Sequence, residues 1–167
     1  MRLYIVRHGE ASRPAAGGEQ ALTERGFWQA GQAAGLLAVD KPPQLILHSP
    51  KRRAVQTMQQ ITSSITDARC QLDAGLVPES NSALVEKILE SRSEDSIALV
   101  SHLPLVAELV SWFSTGEHGA YHLPGYTPAG VVALDMEPVA ARGCGQIAWY
   151  AFAPDYTRRN PATGENL

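Results

Sequence analysis

Cysteine is scarce in this chain. Cys70 and Cys144 are the only two, too few and too far apart for a disulfide framework or a metal knuckle. His48, His118 and His122 form no metal-binding spacing with either of them, so neither a metal nor another cofactor is expected. Long hydrophobic runs are missing too, and no stretch approaches a membrane span. The opening MRLYIVRHGE returns to charge too soon to be the core of a signal peptide. Basic residues are not in excess. There are 14 Lys and Arg against 17 Asp and Glu, for a net charge of -3, which argues against a nucleic-acid partner. No repeat or low-complexity tract appears. These absences predict a cytosolic protein with no membrane or nucleic-acid partner, and a monomer is the default expectation.

What remains is ordinary globular material. Of 167 residues, 44% are hydrophobic and 19% charged, enough for one domain with a real core. Leu3-Tyr4-Ile5-Val6, Leu45-Ile46-Leu47 and Ile97-Ala98-Leu99-Val100 are continuous apolar runs, the pattern of strands covered on both faces. Helical spacing separates them: Phe27, Ala30, Ala34 and Leu37 behind a Thr23 cap, then Val55, Met58, Ile61 and Ile65 after Pro50. A short edge strand is expected within 70–77 and a third helix around Leu84 to Leu89. A fourth helix has Pro104 in its first turn. Val131 to Met136 and Gln146 to Phe152 read as a closing hairpin. The alternation predicts an α/β fold, a three-layer sandwich with a mostly parallel central sheet and helices on both faces. Residues 1–154 are read as the domain and the polar 155–167 as a flexible tail.

In such sheets ligands bind beyond the carboxyl ends of the strands, and here three strands end in reactive residues. The first ends in Arg7-His8-Gly9-Glu10, the second in His48-Ser49-Pro50 ahead of Arg52-Arg53, and the third in Ser101-His102. A neutral imidazole is a nucleophile near neutral pH. Guanidinium groups hold the oxygens of a phosphoryl group as planar, bidentate donors. The set therefore suits phosphoryl transfer, whose catalysis is mostly positioning and charge. Gly9 would let the backbone approach the anion closely.

The order of these motifs resembles the histidine phosphatase superfamily, also called phosphoglycerate-mutase-like. Arg7-His8-Gly9 matches its RHG triplet. Leu22-Thr23-x-x-Gly26-x-x-Gln29-Ala30 and Ser49-Pro50-x-x-Arg53-Ala54-x-Gln56-Thr57 match two further elements, and His102 the later strand-end histidine. The resemblance implies that His8 becomes phosphorylated while Arg7, Arg53 and His102 bind the phosphoryl oxygens, with Gly9, Ser49 and Leu103 also at the substrate. Within the superfamily, Ser101 to Val106 and the short length are most similar to the SixA-type phosphohistidine phosphatases.

The span from Arg53 to His102 is too short for the capping insertions of larger relatives. A shallow, lidless pocket would enclose a small metabolite poorly but admit a phosphorylated side chain. Glu79 is the obvious candidate for a weak proton donor, and equally reads as a surface carboxylate. A weak acid position suits a P–N bond better than an ester. Ala11 and Pro14 replace the Ser and Asn of the mutase pattern RHGESxxN. The expected substrate is thus phosphohistidine on a partner protein, a histidine-phosphotransfer domain of a phosphorelay. The alternatives are a broad small-molecule phosphomonoesterase and an inactive phosphate-binding module.

Overall fold

The apolar runs become neighbouring strands in the computed structural model, which describes residues 1–14, 17–119, 123, 125–137 and 139–167. His122 lies outside the described residues. In chain order the strands are β1 (Arg2–Arg7), β2 (Leu45–His48), β3 (Arg69–Leu72), β4 (Ser96–Ser101), β5 (Val131–Met136) and β6 (Gly145–Ala151). The helices are α1 (Glu24–Val39), α2 (Arg52–Thr62), α3 (Ser82–Glu90) and α4 (Leu105–Thr115). The sheet runs β3-β2-β4-β1-β5-β6. Its first four strands are mutually parallel, and β5 and β6 close it as an antiparallel pair.

Side chains that alternate along each strand feed two cores. Leu3, Ile5, Ile97 and Leu99 pack with Val85 of α3 and with Val106, Leu109 and Phe113 of α4. Tyr4, Val6, Ala98 and Val100 pack on the other face with Ala33, Ala34 and Leu37 of α1 and Ile61 of α2. Burial on both faces explains why β1 and β4 show no amphipathic alternation. The fold is therefore a mixed α/β sheet with helices on both sides.

Local chemistry sets the helix starts. Thr23 caps α1 by accepting the Gly26 N–H at 3.0 Å. Pro104 stands one position earlier than expected, as the residue preceding α4. The edge strand is β3, whose residues are all exposed, and it gives way to a 3₁₀ turn at Ala74–Leu76. His48 ends β2, as the strand-end reading expects, and is buried. Residues 155–167 fold back on β6: Arg159 exchanges backbone hydrogen bonds with Tyr150, and Tyr156 is 4% exposed in the core beneath α1. Polar composition hid this, because the packing rests on a single aromatic and on backbone pairing. At the other end of the sheet Asp40 gathers Arg2, the Tyr4 hydroxyl and Trp149.

Candidate active site

The sheet order decides the site. Because β4 lies between β1 and β2, with Arg7 opposite Ser101 and His48 opposite Val100, the residues that follow all three strands meet at one edge. The ladder continues one step further through His8 N–H to the Ser101 carbonyl and Ser49 N–H to the Val100 carbonyl, each at 3.0 Å. Arg53 enters from the first turn of α2. Arg7, His8, Glu10, Ala11, Gln20, Arg53, His102, Leu103 and Pro128 line an open cleft of about 300 Å³. A larger cavity of about 560 Å³, lined by residues such as Pro43, Asp67 and Glu94, lies at the opposite ends of the strands and has no histidine in its lining.

The hydrogen bonds of His8 fix its tautomer. Its Nδ1 lies 2.7 Å from the Gly9 carbonyl, an oxygen that can only accept, so Nδ1 carries the proton. Nε2 is left with a lone pair, which accepts the Arg53 Nε–H at 3.1 Å. Burial pushes the imidazole down to about 4, against the upward pull of the Gly9 bond, and the Arg53 and Arg7 cations push the same way. His8 is thus neutral and nucleophilic at pH 7.

His102 stands beside it with ring centroids 5.0 Å apart. Burial first, then His8 and Arg53, hold the His102 imidazole down to about 3. Its Nε2 lies 2.7 Å from the Ser49 hydroxyl; Nδ1 is buried with no protein partner among the described residues. Arg7 donates from Nη1 to the Tyr126 carbonyl at 2.6 Å, and its Nε is also buried without a partner among the described residues. Burial lowers the pKa of both Arg7 and Arg53, yet guanidinium groups remain charged at neutral pH. Two cations and two uncharged imidazoles facing one cleft can hold an oxyanion while leaving a lone pair to attack it.

The remaining sequence candidates separate. Leu103 lines the cleft and is exposed. Ser49 is buried behind His102 and orients it. Gly9 is buried too, and its constraint is helix packing: a Cβ there would sit 2.4 Å from the Gly26 carbonyl oxygen. Glu79 is exposed and absent from the lining, though its charge acts on Arg53. Arg52 is exposed and Lys51 half-buried; both line an adjoining cleft that shares Gln20 and Arg53 with the first.

Sequence reasoning quoted several of the supporting polar residues without giving them tasks. Gln29 accepts the Glu10 N–H at 2.8 Å, Gln56 the Leu22 N–H at 2.8 Å, and Thr57 the Gly9 N–H at 3.1 Å. Each pins the loop between β1 and α1 against a helix. Their signal was position: glutamine and threonine on helix faces that turn toward the loop. Tyr126, whose carbonyl holds Arg7, and Pro128, which lines the cleft, had no such signal, since both lie in a loop distant in sequence.

The comparisons agree with this geometry. The sequence profile of the histidine phosphatase superfamily (branch 1) matches residues 3–78. The phosphohistidine phosphatase SixA of Escherichia coli K12 is 27% identical over 155 residues, covering 89% of this chain and 92% of that protein. A structure of the protein histidine phosphatase SixA complexed with tungstate superposes with a TM-score of 0.75 at 25% identity, covering 90% of this chain and 96% of that one. A SixA-type structure from Agrobacterium tumefaciens reaches 0.77 at 24% identity, covering 92% and 97%. With the strand-end histidines and arginines gathered in one cleft of a phosphoglycerate-mutase-like sheet, the chain is similar to the histidine phosphatase superfamily in sequence over residues 3–78 and in fold.

Proposed function

We propose that this protein hydrolyses phosphohistidine on a partner protein through a phosphorylated His8. The observation that carries the reading is the state of His8: neutral, with Nδ1–H tied to Gly9 and the Nε2 lone pair held by Arg53 at an open cleft. When the phosphoryl group enters, its oxygens take over the Arg53 donors and release that lone pair. Nε2 attacks phosphorus, a new N–P bond forms, and the P–N bond to the partner's imidazole breaks. That ring leaves with a proton already on its other nitrogen. Arg7, Arg53 and His102 stabilise the charge on the transferring group. Water then attacks the phosphorylated His8, releases inorganic phosphate and restores the free imidazole.

Two features favour a protein-borne phosphoramidate. Between Arg53 and His102 lie only α2, β3, the 3₁₀ turn, α3 and β4, so no cap is inserted over the cleft. Of the lining residues Glu10 is the sole acid, and its carboxylate accepts the Thr23 hydroxyl at 2.9 Å. A P–N bond needs little proton donation on departure; an alkoxide leaving group needs much more. Glu79, exposed and outside the lining, would then assist only weakly. A histidine-phosphotransfer domain in the cytoplasm is the partner this chemistry suits. Tungstate in the related SixA structure is a tetrahedral oxyanion, like phosphate. No helix among the described residues is long and apolar enough to cross a membrane.

Phosphate release from a phosphorylated histidine-phosphotransfer domain, from sugar phosphates and from p-nitrophenyl phosphate tests the reading. Turnover of the phosphorylated domain by wild type, abolished in His8→Ala, is expected. Faster turnover of the esters would make the protein a small-molecule phosphomonoesterase. Activity surviving in His8→Ala would refute the mechanism, and no turnover of any substrate would leave a phosphate-binding module.

A further inference from the structure

The C-terminal segment reaches the nucleophile through one turn. Residues 127–130 form that turn: the Gly130 N–H donates to the Thr127 carbonyl at 2.9 Å. On its inner side the Ala129 N–H donates to the His8 carbonyl, and the Gly130 carbonyl accepts the Arg7 N–H, both at 3.0 Å. Pro128 lines the cleft. On its outer side the Thr127 hydroxyl accepts the Ala153 N–H at 2.8 Å, and the Tyr156 hydroxyl donates to the Pro128 carbonyl at 2.7 Å.

Tyr156 is itself well held. Its ring is buried and meets Trp28 of α1 edge-on, with centroids 5.9 Å apart. The following residues pair with β6 through Arg159 and Tyr150, and Arg159 binds Asp155 at 2.7 Å. Ala129 and Tyr156 both adopt φ of 51°, and they are the non-glycine residues with left-handed backbone among those described. Such a conformation disfavours a side chain and persists only where surrounding contacts enforce it. The enforced residues sit at the two ends of one hydrogen-bonded path.

We propose that Tyr156 is a positioning residue for His8: its hydroxyl holds Pro128, and the adjacent Ala129 amide thereby fixes the His8 carbonyl and the orientation of the imidazole above it. The role rests on the reading of His8 as nucleophile. Burial pushes the Tyr156 hydroxyl up to about 12, so it stays a donor across the working pH range. A segment with the composition of a dispensable tail thus braces the turn that lines the site.

Tyr156→Phe keeps the ring against Trp28 and removes a single donor. The loss of one neutral hydrogen bond corresponds to a kcat about three- to tenfold lower, with KM unchanged because the phosphoryl clamp is intact. Loosening the turn admits water to His8, so its imidazole NMR titration moves from about 4 toward the ordinary value. Tyr4→Phe is the control: its hydroxyl bonds Asp40 and Lys41 at the far end of the sheet, so it lowers the urea midpoint without lowering kcat. Unchanged kcat and His8 titration in Tyr156→Phe, or an equal loss of kcat in Tyr4→Phe, would overturn the proposal. Failure of the functional reading would look different: wild type would not turn over phosphohistidine, while the His8 titration would still decide the positioning role.

Discussion

Taking the wild-type protein from pH 7 to pH 5 should cost stability while sparing activity. Burial holds the His8 imidazole down to about 4 and that of His102 down to about 3, from an ordinary 6.5. In the unfolded chain both rings take up protons below about 6.5, but in the folded protein they stay neutral across this interval. The unfolded state therefore binds more protons, and stability falls as pH drops from the unfolded value to the folded one, then levels off. Each ring loses about 2 kcal/mol between pH 7 and pH 5 by this linkage, a large share of the ~5–15 kcal/mol that holds a domain together. The Nε2 lone pair, by contrast, survives to about pH 4. Urea unfolding at both pH values, with His8→Asn as a variant whose pH dependence is about 2 kcal/mol shallower, measures the first effect. The acid limb of kcat/KM, corrected for the substrate's own ionisation and uncatalysed hydrolysis, measures the second. An activity midpoint near 6.5, or equal unfolding free energies at the two pH values, would refute the argument that burial keeps these imidazoles neutral.

Two substitutions test the supports of the site. Ser49→Ala removes the partner of His102 Nε2 and leaves that ring buried with neither nitrogen bonded by protein. We expect a loss of about 1–3 kcal/mol in denaturant unfolding, with kcat about tenfold lower because His102 loses its tether. Gly26→Ala would place a methyl 2.1 Å from the Glu10 carbonyl oxygen, backbone against backbone. It should cost about 2 kcal/mol or more in calorimetry and lower activity by displacing the loop that carries Glu10 and Ala11 into the cleft.

The supports divide according to how far apart in sequence their partners lie. Thr23 and Gly26, three residues apart, make a cap that can be read directly. Gln29, Gln56 and Thr57 were visible as polar residues on inward helix faces, but the N–H groups they accept lie in a loop that only packing brings near. Gly9 was read as room for an anion. Its neighbour proved to be Gly26, because α1 crosses the loop at backbone distance. Tyr156 and Pro128 were illegible, since their bond joins a terminal segment to a loop with no local pattern to announce it.

By itself, the sequence determined the parallel strands and the residues that end them. Continuous apolar runs require burial on both faces, and a strand that ends in Arg7-His8 or Ser101-His102 must present those groups at the carboxyl edge of the sheet. Tertiary structure alone decided what state they are in. Strand order brings His8, Arg53 and His102 together, and enclosure strips water from the imidazoles and lowers their proton affinity. The turn that carries Pro128 and Ala129 then holds His8 by its backbone. Residue type supplies a nucleophile's chemistry, but its charge and aim depend on solvent exclusion and on contacts distant along the chain, which have no local signature.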